Sequence, residues 1–135
     1  MRYMLDTNTC IYAMRQRSPS IVRRIRRSRI GDIGISTMVL SELQYGVIKS
    51  SQMSRNQAVL DAFAASLEIA PYDAGAAVVY GPVRAELERQ GQPIGSIDLL
   101  IAAHALSLGA ILVTHNTREF NRVTGLHVED WMQDR

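Results

Sequence analysis

Residues 96–114 read "SIDLLIAAHALSLGAILVT". Nine of the 13 positions from Ser96 to Leu108 are apolar, as in a helix buried on most sides, and Gly109 is placed to stop it. Ala110 to Thr114 then reads as a short buried strand. The apolar run from Leu99 to Val113 contains His104 and Gly109 and is shorter than the roughly 20 residues a membrane helix requires. The stretch is thus a buried helix followed by a buried strand. Where strands and helices alternate in this way along a chain, they predict an α/β fold with a parallel sheet covered on both faces.

Outward from this stretch the alternation continues. Arg2 to Leu5 predicts a strand ending at Asp6, and Thr7 to Arg15 a helix capped by Asp6 or Thr7. Ser20 to Ser28 carries Ile21 and Ile25 four apart, a second short helix with an arginine-covered outer face. Ile33 to Ser36 reads as a strand, Met38 to Ser50 as a helix with Thr37 as cap, and Asn56 to Ser66 as another amphipathic helix. Leu67 to Pro71 adds a strand. A helical pattern runs from Asp73 to Gly91, with a kink or a break expected at Gly81-Pro82. A last strand is expected near Leu126 to Val128.

The chain has 135 residues, enough for one domain spanning 1–135 around one core. No repeat or linker divides it. Cys10 is the only cysteine, which excludes an intrachain disulfide and thiolate clusters. Asp6 follows the first apolar residues too soon for a secretory segment, so a cytoplasmic protein is expected. The net charge of +2 conceals an asymmetry: residues 1–60 carry +7 and residues 61–135 carry −5. Seven arginines fall between Arg15 and Arg29 with no acid among them. Such a run fits either a solvated helix face or a landing strip for a polyanion.

Three acids, Asp6, Glu42 and Asp98, fall at or near helix starts that follow apolar or turn segments. Each alone has a plain explanation as a cap, a first-turn acid or surface decoration. A parallel sheet, however, brings the carboxyl ends of its strands to one edge, where such folds bind ligands. Carboxylates gathered there repel one another unless a cation neutralises them, and hard oxygen donors suit Mg²⁺ or Mn²⁺. From the pattern alone, an acidic metal site is the expectation.

Four motifs carry a more specific signal: "MLDTNTCIY" at 4–12, "SELQYG" at 41–46, "IGSIDLLIAAHAL" at 94–106 and "LVTHNTREFNRVTGLHVEDW" at 112–131. In this order and spacing the chain resembles the PIN-domain nucleases, most closely the VapC-type toxins of bacterial toxin–antitoxin pairs. The resemblance implies a three-layer α/β/α sandwich with a mostly parallel sheet of about five strands. It also implies a Mg²⁺- or Mn²⁺-dependent endoribonuclease acting on structured RNA, usually tRNA, and neutralised by a VapB-type antitoxin. Homodimerisation is implied as well. By motif match Asp6 and Asp98 become the principal metal ligands, and Glu42 a ligand or an acid acting through water. Asn116 stands where many members carry a fourth acid, and Glu119 is a candidate to supply that charge. Gly95-Ser96-Ile97 and His115 depart from common family residues without removing an acid.

Thr7, Asn8 and Thr114 are candidate substrate contacts or supports for Asp6, with helix capping the other reading for Asn8. His104 lies about 120° around the helix from Asp98 and reads as a packed residue. His115 is nearer the site and is a candidate contact to RNA phosphate, but the family needs no histidine base, so a residue without a functional role is the preferred reading. Tyr45, three residues after Glu42, reads as half-buried packing rather than a base-stacking ring, and Trp131 as an anchor. If the chain has a groove for an antitoxin tail, Ile11, Met14, Ile21 and Ile25 are candidates to line it. The alternative function is a non-catalytic RNA-binding or regulatory PIN-like module. A phosphohydrolase using Asp6 as nucleophile fits poorly, because Asn8 stands where its second aspartate is required and Lys49 is the only lysine.

Overall fold

The computed structural model describes residues 1–132. Its elements are β1 (Tyr3–Leu5), α1 (Thr7–Met14), α2 (Pro19–Arg27), β2 (Ile33–Ser36), α3 (Thr37–Lys49) and α4 (Met53–Ala65), then β3 (Glu68–Ala70), α5 (Ala74–Arg89), α6 (Ser96–Leu108), β4 (Ile111–Val113), α7 (Thr117–Phe120) and β5 (Val128–Glu129). The five strands form one sheet in the order β3-β2-β1-β4-β5, and every pairing is parallel. Parallel crossovers are right-handed almost without exception. Connections that move outward from β1 in opposite directions therefore cover opposite faces, giving the α/β/α sandwich. Met4, Leu5, Ile35, Leu112 and Val113 are fully buried between the layers, and Val39, Leu60 and Ile101 close over them.

Local chemistry explains most boundaries. Asp6 caps α1, Ser18 caps α2 and Asp73 caps α5, each accepting a backbone N–H three residues on. Gly109 ends α6 in the left-handed conformation, at φ 63°. The cap of α3 is Ser36 and not Thr37: the Ser36 hydroxyl accepts from the Met38 N–H, while the Thr37 hydroxyl accepts from the Tyr72 N–H. α4 begins at Met53, three residues earlier than expected, because no side-chain cap marks its start. α5 runs unbroken through Pro82. Val78, whose carbonyl loses its partner there, is exposed and can be satisfied by water. The last strand lies later than its expected position, at Val128–Glu129, and the short α7 was not expected.

Trp131 is the anchor its position suggested. It is buried edge-on against Tyr3, its indole N–H donates to Glu129, and the Arg24 guanidinium lies over its ring at 4.5 Å. One member of the arginine run is thus committed to the fold.

Candidate active site

The strand order reverses between β1 and β4, and the crevice outside the carboxyl ends of two such strands is where open α/β sheets take ligands. The chain leaves β1 through Asp6 and leaves β4 through Thr114, His115 and Asn116. The two exits are stapled together: the Asp6 N–H donates to the Val113 carbonyl at 3.1 Å. The Asp6 carboxylate is buried and accepts from the Thr9 N–H at 2.9 Å, while the Thr9 hydroxyl donates to the Val113 carbonyl. Thr9 escaped the sequence reading, because any backbone N–H at that position would satisfy a capping Asp6 and the hydroxyl's partner lies 104 residues on.

Glu42 and Asp98 enter the same region from α3 and α6, and both are partly buried. Thr7 donates its hydroxyl to Glu42, so it orients that acid. Glu119, on α7, accepts from the Gly95 N–H at 3.0 Å and from the Asn116 side-chain amide at 2.7 Å. Gly95 has no side chain with which to cap α6, and the Glu119 carboxylate satisfies the N–H of Gly95 itself at the start of that helix. The Gly95 and Asn116 hydrogen bonds hold the Glu119 carboxyl below its ordinary value.

Asp98 behaves oppositely. Its carboxyl is pushed up to about 6, first by burial and then by the charges of Glu119, Asp6 and Glu42. Glu119, Asp6 and Glu42, brought in from three separate parts of the chain, therefore all bear on Asp98 across this crevice. Among the described residues no three His, Cys, Asp or Glu side chains converge into a ready-made ligand set. The acids form an electronegative basin rather than a closed cage. That donor chemistry fits Mg²⁺ or Mn²⁺, since Mg²⁺ keeps several waters and needs only one or two carboxylates.

The remaining candidates divide. Asn116 is exposed and braces Glu119. Asn8 is exposed in the first turn of α1 and free of capping duty, because Asp6 holds that role. Thr114 is fully buried, and its hydroxyl accepts from the Asn116 N–H, which favours a supporting role over a direct substrate contact. His104 is buried, with Nδ1 2.8 Å from the Ser36 hydroxyl and its ring edge-on to Tyr72. Burial holds its imidazole below the ordinary value. Tyr45 contradicts its expected packing role and is 64% exposed.

Beside Glu42, helices α1, α3 and α4 enclose an open groove of about 700 Å³. Ile11, Met14, Val47 and Val59 give it an apolar lining, and Arg17 and Arg55 add charge. Ile11 and Met14 match the expected groove residues, whereas Ile21 is buried in the core.

A family model described as "PIN domain" matches residues 3–126. The chain belongs to the PIN-domain family. Similar PIN proteins include the tRNA(fMet)-specific endonuclease VapC of Shigella flexneri, 47% identical over 131 residues, covering 97% of this chain and 98% of that protein. Two solved structures match closely. The DNA-bound VapBC of Salmonella typhimurium superposes with a TM-score of 0.92 at 44% identity, covering 97% of this chain and 98% of the other. VapBC2 of Rickettsia felis, bound to a promoter DNA fragment, gives a TM-score of 0.89 at 44% identity over 97% and 99% of the two chains. The PIN topology accounts for the crevice between β1 and β4. Among the described residues no helix is long and apolar enough to cross a membrane.

Proposed function

We propose that this PIN domain, acting as one unit over 1–135, is a Mg²⁺- or Mn²⁺-dependent endoribonuclease toxin. Its substrate is structured RNA, tRNA in particular, and a VapB-type antitoxin restrains it in the cytoplasm. The observation that carries the metal site is the Asp98 carboxyl, held up at about 6 by burial and by three other acids. Such a cluster is poorly stable without a cation and well matched to one.

Asp6, Asp98 and Glu42 would hold the cation, with Glu119 as the fourth acid in place of Asn116. When bound, the ion supplies charge neutralisation and Lewis-acid activation of water and phosphodiester. The chain's own residues do the positioning. Thr9 fixes Asp6, Thr7 fixes Glu42, and Asn116 with the Gly95 N–H fixes Glu119. Asn8, exposed beside Asp6, is available to a phosphate oxygen. Similarity to a tRNA(fMet)-specific endonuclease VapC and to VapBC complexes supports tRNA as substrate and VapB as partner. The groove beside Glu42 suits an amphipathic antitoxin segment that ends over the acids. Two copies pairing as a homodimer would have the exposed Tyr45 and Ile48 to draw on.

The test uses bulk tRNA with Mg²⁺ or Mn²⁺, with chelator, and with Asp6→Asn. Asparagine keeps an oxygen for the Thr9 N–H and removes the charge. Discrete cleavage is expected, falling by about a hundredfold or more in the variant and ceasing in chelator. Cleavage unaffected by either treatment overturns the reading, and intact tRNA throughout favours a non-catalytic RNA-binding module.

A further inference from the structure

His115 and Asp130 leave neighbouring strands at the same edge of the sheet. His115 lies two residues beyond β4, next to Asn116, and Asp130 directly follows β5. His115 Nδ1 stands 2.9 Å from Asp130 Oδ2. The other oxygen of that carboxylate accepts from the Met132 N–H at 2.9 Å, and the Asp130 side chain is only 13% exposed. The aspartate is thus fixed, and it fixes the ring. An ionised carboxylate only accepts, so Nδ1 carries the hydrogen and donates it. The ring itself is 56% exposed. As a fold contact the pair contributes little, because exposed ion pairs stabilise by about 0–1 kcal/mol.

We propose that His115 is a substrate-contact residue whose Nε2 meets the ribose 2′-hydroxyl of a nucleotide flanking the cleaved bond, with Asp130 as its positioning residue. This rests on the ribonuclease reading of the crevice. Adjacent strands lie about 4.8 Å apart, so the dyad sits roughly one strand spacing along the carboxyl edge from the β1/β4 crevice. A polynucleotide longer than one unit, laid along that edge, must pass over it. A 2′-hydroxyl both donates and accepts, so it matches Nε2 whether or not that nitrogen carries a proton. It is also the group that distinguishes RNA from DNA at a given site. His115 therefore adds a sugar-reading contact to a site whose other residues face the phosphodiester.

The experiment first maps the cut in bulk tRNA, then uses an RNA oligonucleotide spanning it. A matched series carries one 2′-deoxy substitution at a time. His115→Ala and Asp130→Asn are expected to lower kcat/KM about five- to tenfold, mainly through KM, with melting temperatures near wild type. His115→Gln restores part of the loss. One 2′-deoxy position costs wild type the same factor and costs His115→Ala nothing further. Unchanged kinetics in His115→Ala, or equal sensitivity of wild type and variant at every 2′-deoxy position, overturns the proposal. Fluorescence anisotropy with tRNA, performed on Asp6→Asn with and without His115→Ala, tests the contact where no bond is cut. Weaker binding in the double variant supports the contact and equal binding overturns it. Wild-type protein that leaves tRNA intact with both metals instead defeats the ribonuclease reading.

Discussion

At Asp98 the requirements of a cation site and of a folded chain oppose each other. Its carboxyl titrates near 6 in the fold, chiefly through burial and then through Glu119, Asp6 and Glu42, whereas an unfolded aspartate titrates near about 4. Between those values the folded state binds more protons than the unfolded one, so stability falls as pH rises and levels off above the folded value. Asp98→Asn removes that cost. In chelator the variant should melt a few degrees above wild type at pH 7, with the gap closing toward pH 4, and it should lose cleavage with Mg²⁺ present. Melting curves across pH check this, and a gap independent of pH would mean that Asp98 ionises as an ordinary surface acid. Glu119 carries the opposite sign. Its lowered value contributes stability above the ordinary carboxylate range, and that contribution disappears on acidification. Sequence alone could name both acids but could not separate them. Their difference lies in the Gly95 N–H and the Asn116 amide, partners 24 and 3 residues from Glu119.

Gly34 shows why β2 is written Ile-Gly-Ile-Ser. It pairs with Glu68 of β3, and a Cβ there would overlap both the Glu68 backbone carbonyl and the Met1 side chain. Gly34→Ala is therefore expected to destabilise by about 1–3 kcal/mol or more, read by chemical denaturation, because the backbone atom it meets cannot swing away. Elements with strong local signals were legible in the sequence. α6 is mostly apolar and has a stopping glycine, β1 ends just before the capping Asp6, and β2 ends on the capping Ser36. α4 began early for want of a cap, and α7 is four residues whose burial rests on Phe120 alone. Tyr45 was misread because its exposure depends on what lies beyond α3, which helical periodicity does not report.

Across the whole molecule the arginine run does not act as one strip. Arg24 stacks on Trp131, whereas Arg15 and Arg17 join Arg55 of α4 around the groove. Gly46 also lines that groove, and a Cβ added to it meets nothing within 4 Å. Gly46→Leu should stabilise the free protein by up to about 1 kcal/mol through helix propensity while filling the seat of a docked segment. Co-purification with the proposed VapB-type antitoxin should then fall, and unchanged recovery would place its docking site elsewhere. The fold class was readable from sequence because alternation of apolar runs survives without coordinates. The groove was only half readable, since it is made by three helices whose approach no single stretch encodes. The pairing of β1 with β4 has one more consequence, in time rather than space. Leu5 meets Val113, so the crevice exists only when chain from opposite ends of the sequence has come together. Contacts of such long separation close late in folding. A ribosome-bound chain that has delivered Asp6, Glu42 and Asp98 still lacks β4 and Glu119, so the crevice cannot assemble around its acids until residues 111–119 have also left the ribosome.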